Sequence, residues 1–405
     1  MERSALHEAV ATLLLLLAAA GIWTHSPLLL LGAGLALVTA YGSRLLGRYA
    51  LARLEVRRTW SAERCFAGES VRLRLQMTNR KPLPVIHLGL DQLVPEGLQP
   101  YSVNLGIFIA GKSHWVQVWS VGWYQRVTRT YEIECRQRGL YVLPPAQLSG
   151  EDPFGFVNRT ALLPEAPPLI VYPTPIPLDR INLVAQRPLG DQRSRQRLFE
   201  DPLRCAGVRE YRPGDPLQRI HWRATAATGQ LQVKLLEPSS TLGVAVLVNV
   251  WSFARPWQGI DPVSVERAIT VAASLVRWAV ATEWPVGLYA NGRVTGWGRA
   301  LRLPPARGPQ VLTHALEGLA RLTLFSELSP AQMLLSELNR LPFGTTLVLC
   351  TRSVAPDLAA ALRRAAGAGW PVLLLVTGPL DEVPRLPGVR VVDCGEGVDL
   401  NAALA

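Results

Sequence analysis

The chain has 405 residues, 49% of them hydrophobic and 18% charged, with a formal net charge of +11. That is too apolar for disorder and long enough for two ordinary domains. The basic excess suits phosphate-rich, anionic-lipid or acidic protein surroundings. Five scattered cysteines without a Cys-x-x-Cys pair favour reduced, separately placed thiols over a disulfide framework. The six histidines form no ligand-spaced cluster, so neither a metal nor a cofactor is expected.

Residues 9–41 carry no charged side chain, and Trp23-Thr-His-Ser-Pro27 splits them into two apolar blocks of about the length that spans a bilayer. The expectation for residues 1–54 is a two-helix transmembrane hairpin with a basic juxtamembrane segment. Arg44, Arg48, Arg53, Arg57 and Arg58 follow the second block, while the loop between the blocks has no Lys or Arg. The positive-inside rule then predicts an inner-membrane protein in contact with the lipid bilayer, its two spans leaving the remaining domains on the cytoplasmic side.

Residues 55–163 change to short alternating runs. Val71-Arg-Leu-Arg-Leu-Gln-Met and His114-Trp-Val-Gln-Val-Trp-Ser place apolar residues at every second position, and Tyr131-Glu-Ile-Glu-Cys alternates again. Strands at this spacing without helices predict an antiparallel β-sandwich. Trp115, Trp119, Trp123, Tyr124 and Tyr131 are expected mostly in its core or at its ends rather than on a stacking platform. Arg138-Gly-Leu-Tyr and Asp152-Pro-Phe-Gly-Phe close the domain, and residues 164–206 read as a connector rich in proline and arginine.

The segment Gly207-Val-Arg-Glu-Tyr-Arg-Pro-Gly-Asp-Pro-Leu-Gln-Arg-Ile-His-Trp-Arg opens the last region, residues 207–405. Pro213-Gly214 suits a type II turn. Asp215, Pro216 and Gln218 read as N-cap, first turn and capping-box partner of a short helix running to about Trp222. Arg209, Glu210, Tyr211, Arg212, Asp215, Arg219, Trp222 and Arg223 are thereby gathered, either as an ion-paired knot between layers or as a contact for an anion or an acidic partner.

Beyond it, apolar runs such as Gly243-Val-Ala-Val-Leu-Val-Asn and Thr345-Thr-Leu-Val-Leu-Cys alternate with helical patterns. This predicts a doubly wound α/β domain with a mainly parallel sheet. In such a sheet a ligand lies beyond the carboxyl ends of the strands. The residues there are Asn249, Trp251 and Ser252 after one strand, and Cys350, Thr351 and Ser353 after another. They form a rim of amide, hydroxyl and thiol without an aspartate, poor for a divalent cation. No phosphate-binding GxxxxGK[ST], no GxGxxG after a strand and no GxSxG elbow is present. No catalytic residue is assigned.

With these residues the chain resembles the bacterial domain-of-unknown-function 58 family. The resemblance rests on the apolar hairpin, on Arg138-Gly-Leu-Tyr, Asp152-Pro-Phe-Gly-Phe and Val171-Tyr-Pro-Thr-Pro, and above all on Arg209-Glu-Tyr-Arg-Pro-Gly-Asp215 leading to Arg219-Ile-His-Trp222, with Leu231-Gln-Val-Lys234 behind. It implies a von Willebrand factor A-like α/β domain carrying that signature as an extension, and genes beside MoxR-type AAA+ ATPases. The A-type metal motif, Asp-x-Ser-x-Ser, reads here as Asn249, Trp251 and Phe253 with Ser252 out of phase, a degenerate site. Within the signature, His221 stands where aspartate is usual and Ala227 where arginine is usual.

The expected function is a membrane-anchored, non-catalytic adaptor or scaffold that docks a cytoplasmic partner, an AAA+ ATPase of the MoxR type. The alternative is an anion- or nucleotide-binding protein or enzyme using the arginine-rich signature. Charge alone leaves nucleic acid open as a partner class, yet no nucleic-acid partner is expected. The oligomeric state is not legible.

Overall fold

The computed structural model describes residues 19, 22–25, 27–101, 108–109, 112–152, 158–178, 200–212, 215, 220–238, 243–253, 255–326, 328–342 and 344–404. The first apolar block, the Pro213-Gly214 turn, Pro216, Gln218, Arg219, and the Pro-Phe-Gly-Phe that follows Asp152 lie outside the described residues. The chain divides into two compact units, Met1–Tyr172 and Pro173–Ala405.

The second apolar block is a helix, α1 (Pro27–Tyr49). Yet no helix among the described residues is long and apolar enough to cross a membrane. Arg44 and Arg48 fall within α1. Its charge-free part is therefore about 25 Å long at 1.5 Å per residue, against a hydrocarbon core of ~30 Å. The expected transmembrane hairpin is overturned, and the two-span topology and inner-membrane placement fall with it. Arg58, read as part of the basic flank, is instead buried, and its guanidinium donates to Gln92 Oε1 and to the carbonyls of Pro144 and Pro164. An arginine with acceptors fixed on three sides belongs to the protein interior.

The first unit is built on β1 (Leu54–Trp60), β2 (Arg64–Phe66), β3 (Ser70–Asn79), β4 (Val85–Pro95), β5 (Leu98–Pro100) and β6 (Phe108–Ile109). Next come β7 (Lys112–Val121), β8 (Arg126–Cys135), β9 (Gly139–Tyr141), β10 (Ala146–Glu151), β11 (Asn158–Leu163) and β12 (Leu169–Tyr172). One sheet has the order β1-β3-β8-β5, another β11-β10-β4-β7-β6, and a third β2-β12-β9. All pairs are antiparallel except β2 with β12. Period-2 alternation sends Val71, Leu73, Leu75 and Met77 of β3 inward, with Leu88, Leu90 and Val94 of β4 in the same cluster.

Trp115 and Trp119 are buried in that core, and Trp115 meets the Tyr131 ring edge-on at 4.7 Å. Trp123 and Tyr124 stay exposed at the β7–β8 turn. Two features depart from the sequence reading. Residues 169–172, read as connector, form β12, whose Leu169 and Val171 are core residues. Cys65 and Cys135, 70 positions apart, are free thiols in one buried cluster, and that neighbourhood together with burial pushes Cys135 well above the ordinary thiol range.

The second unit begins with an antiparallel pair, β13 (Glu200–Glu210) and β14 (Gln232–Pro238), with helix α2 (Trp222–Thr228) between them. The strands of the main sheet follow as β15 (Val244–Val248), β16 (Val286–Val294), β17 (Ala300–Ala306), β18 (Leu322–Ser326), β19 (Thr346–Thr351), β20 (Val372–Val376) and β21 (Val389–Asp393). Their order is β17-β16-β15-β19-β20-β21, with β18 also paired to β16. β15, β16, β19, β20 and β21 run parallel, while β17 and β18 are antiparallel to β16. The residues of β15 are all buried, as a strand covered on both faces requires.

The helices of this sheet are α3 (Pro262–Ala281), α4 (Pro309–Ala320), α5 (Pro330–Leu338) and α6 (Pro356–Gly367), with a terminal α7 (Leu400–Leu404). Each of α3 to α6 starts on a proline, which suits the first turn because its missing N–H has no intrahelical partner there. Asp261 caps α3, and Ser329 with Gln332 forms a capping box on α5. β15 sits between β16 on one side and β19 on the other, so the winding direction reverses there. The switch point lies at the carboxyl ends of β15 and β19.

Candidate functional site

The signature is an antiparallel clasp. Arg209 pairs with Val233 and Glu210 with Gln232 across β13 and β14. The chain leaves β13 at Tyr211, whose N–H donates to Leu231 O at 2.9 Å, and returns at Ile220, which bridges to Val233. His221 N–H donates to Gln232 O at 2.8 Å. Residues 231–233 therefore hold both the departing and the returning strands of the signature.

Asp215 is tied back to β13. Its carboxylate accepts both guanidinium nitrogens of Arg209 at 2.7 Å and the Arg212 N–H at 2.9 Å. Arg209 also donates to Glu210 O at 3.0 Å. This two-pronged bond, helped by the Arg212 N–H, holds the Asp215 carboxyl down to about 2. The expected helix start at Pro216 lies outside the described residues, and among the described residues a helix begins at Trp222. His221 is the N-cap, its Nδ1 accepting from Ala224 N–H at 3.0 Å, and Gly229 closes α2 with φ 70°. A short polar aspartate after Pro-Gly reads as a cap from sequence; only the fold brings Arg209 to compete for it.

Of the remaining signature residues, Tyr211 is half-buried, while Glu210, Arg212, Trp222 and Arg223 are exposed, Trp222 to 69%. Among the described residues the guanidinium groups of Arg212 and Arg223 have no hydrogen-bond or ion-pair partner. Leu231, beside Tyr211, is also exposed. The structure thus brings together Arg209, Asp215 and the backbone of Arg212, and turns Trp222 and Arg223 outward; Arg219 lies outside the described residues.

The rim of the main sheet is a closed network. Asn249 is buried, and its Nδ2 donates to Thr351 Oγ1 at 2.9 Å while its Oδ1 accepts from Trp251 N–H and Asn291 Nδ2, each at 3.0 Å. Thr351 Oγ1 donates to Ser353 O at 2.8 Å, and Ser252 Oγ accepts from Asp261 N–H at 2.7 Å. The Arg352 guanidinium lies across this end of the sheet: Nε donates to Asp261 Oδ2 at 2.9 Å, another nitrogen donates to Ser252 O at 3.1 Å, and the group stacks 4.4 Å over Phe253. Asp261, held by Ser264 and then by Arg352, titrates below the usual carboxylate range. The side-chain oxygens are thus engaged within the protein, and a fixed positive charge stands beside them. This donor set does not fit a divalent cation. Among the described residues no group of His, Cys, Asp or Glu could hold a metal ion.

Sequence reading missed Asn291 and Arg352. Asn291 had a signal, an amide in the otherwise apolar run of β16, where a buried polar group demands partners. Arg352 follows directly on β19, but nothing local indicates that Asp261, 91 positions earlier, receives it.

Residues 207–402 match the family described as "Protein of unknown function DUF58". An uncharacterized protein of Bacillus subtilis, YeaD, is 24% identical over 68% of this chain, and the match spans 64% of that protein's own length. Among solved structures, a non-cellulosomal cohesin from Archaeoglobus fulgidus aligns at 13% identity and TM-score 0.22, over 30% of this chain and 91% of its own. A GH20 exo beta-N-acetylglucosaminidase from Vibrio harveyi aligns at 12% identity and TM-score 0.21, over 33% of this chain and 21% of its own. Scores this low carry no argument about function.

Proposed function

We propose that the chain is a non-catalytic docking protein whose signature clasp is its contact surface, and that its partner is an acidic face of an AAA+ ATPase of the MoxR type. The observation that carries this reading is Trp222, a large aromatic held outward at the first turn of a capped helix. Tryptophan and arginine are the residues that anchor protein interfaces, and a tryptophan left in water costs the free protein apolar exposure that a partner would relieve. Arg223 beside it and Arg212 in the same signature carry charge without a side-chain partner among the described residues, which an acidic partner complements. The partner class comes from the family resemblance, as does the reading of the α/β unit as von Willebrand factor A-like with a degenerate rim. The rim's self-satisfied network supports a structural role there rather than metal-dependent capture.

The competing reading, an anion or nucleotide site or enzyme built on the signature arginines, is weakened because Arg209 is engaged by Asp215. The test measures binding of the purified protein to a MoxR-type ATPase from the same genome by interferometry. Trp222→Ala and Arg223→Glu are expected to weaken binding at least tenfold while each shifts unfolding stability by less than about 0.5 kcal/mol, as for an exposed position. Unchanged binding by both variants, or tight nucleotide binding to the free protein that is lost with Arg212→Glu, overturns it.

A further inference from the structure

A cavity of about 630 Å³ opens over β16 and β17 next to α5, and it borders the rim network through Leu328, whose carbonyl accepts from Asn291 Nδ2. The volume falls within the range of small-molecule sites, ~300–1,000 Å³.

The chemistry of its walls is specific. Leu301, Leu328 and Met333 supply apolar surface. Arg299, Arg302 and Arg340 line the same space as one carboxylate, Glu337. Arg302 Nε reaches Glu337 Oε2 at 3.1 Å, and Arg340 stands 3.9 Å from its other oxygen. One buried carboxylate shared between two arginines, with a third unpaired among the described residues, leaves a surplus of positive charge facing the cavity. Tyr289 adds an independent pointer. It is 3% exposed and lines the cavity, yet among the described residues its hydroxyl has no partner. The ring is buried while the hydroxyl opens onto the cavity, so this donor is available to a ligand atom or water there. Burial, reinforced by Glu337, pushes the Tyr289 phenol up to about 12, so it remains a donor at neutral pH.

We propose that this cavity binds a small organic anion, with an apolar body against Leu301, Leu328 and Met333 and a carboxylate or phosphate ester held by Arg299 and Arg340, within reach of the Tyr289 hydroxyl. Arginine suits this task because its planar fork engages either headgroup with two parallel bonds.

The sequence contains three methionines, Met1, Met77 and Met333, and only the last lines the cavity, whereas Met77 is in the core of the other unit. Carbon-13 methyl labelling of methionine therefore reads this site directly. The full chain is titrated with 4-phenylbutyrate, 4-phenylbutyl phosphate and the neutral 4-phenylbutanamide. At least one anion is expected to shift the Met333 methyl in a saturable way and to leave Met77 unmoved; whichever anion binds tighter names the headgroup. The amide is expected to bind at least tenfold more weakly. The double variant Arg299→Gln, Arg340→Gln, at two exposed positions, is expected to keep the unliganded Met333 shift and lose at least fivefold in anion affinity. No saturable Met333 shift with either anion, equal binding of the amide, or undiminished anion affinity in the folded double variant overturns the proposal.

Discussion

Arg352 and Asp261 meet at 2.9 Å at the carboxyl end of the parallel sheet, joining the end of β19 to the N-cap of α3. The pair stands at the rim beside Ser252 and Thr351. It links strand and helix with a side-chain cation, whose other nitrogen also takes Ser252 O.

Removing that guanidinium leaves Asp261 without its cation and Ser252 O without its donor. Arg352 is 12% and Asp261 29% exposed, so solvent screens the pair only partly. Arg352→Ala is expected to lower unfolding stability by about 2 kcal/mol, read as a shift of the urea midpoint. Arg352→Lys recovers less than half, because one ammonium on a flexible stem does not reproduce the fork. A loss below about 0.5 kcal/mol contradicts this role.

Gly378 follows β20, and a Cβ built there would stand 2.4 Å from Arg352 O. A backbone atom cannot swing aside as a side-chain tip can. Gly378→Ala is expected to cost ~1–3 kcal/mol, the range for overpacking a tight site. It should also weaken the coupling between Arg352 and Asp261, so that the double-mutant cycle of Gly378→Ala with Arg352→Ala is non-additive. Additive losses would show that the Arg352 loop is undisturbed.

The signature predicts a particular acid response. The folded pKa of Asp215 is lowered to about 2, and that of Asp261 is lowered too. For carboxylates with folded values below unfolded ones, the unfolded chain takes up protons first as pH falls. Their contribution is therefore complete above the unfolded value of ~3.9; it is lost as pH drops toward about 2 for Asp215. The amide proton shift of Arg212, which donates to Asp215, should titrate with a midpoint near that value. A midpoint close to 4 would mean that the bond to Arg209 does not persist in solution. Asp261→Asn should flatten the fall in global stability below pH 4.

The elements were legible where pattern is local. The run ending in Asn249 reads as a doubly covered strand, and the alternation of apolar runs with helical patterns matches the strand and helix order of the second unit. Alternation in Val71 to Met77 points the same residues inward that the sandwich buries. Misreadings occurred where a side chain had a choice of partners. Asp215 has the sequence context of a cap, and the structure adds a bidentate bond from Arg209, six positions earlier, that no local pattern indicates. Arg58 reads as a membrane flank by its charge, although Gln92, Pro144 and Pro164 supply acceptors in the interior.

The sequence by itself determined the β-rich first unit, the alternating α/β order of the second and the composition of the signature. It did so because hydrophobic period and proline placement act over a few residues. Only the tertiary structure decided that no helix among the described residues is long and apolar enough to cross a membrane, that Asn249, Asn291 and Thr351 close on one another, and that Arg352 stands against Asp261. Those outcomes depend on which donor meets which acceptor across tens of positions, and hydrogen bonds and ion pairs, unlike hydrophobic burial, require the geometry before they contribute.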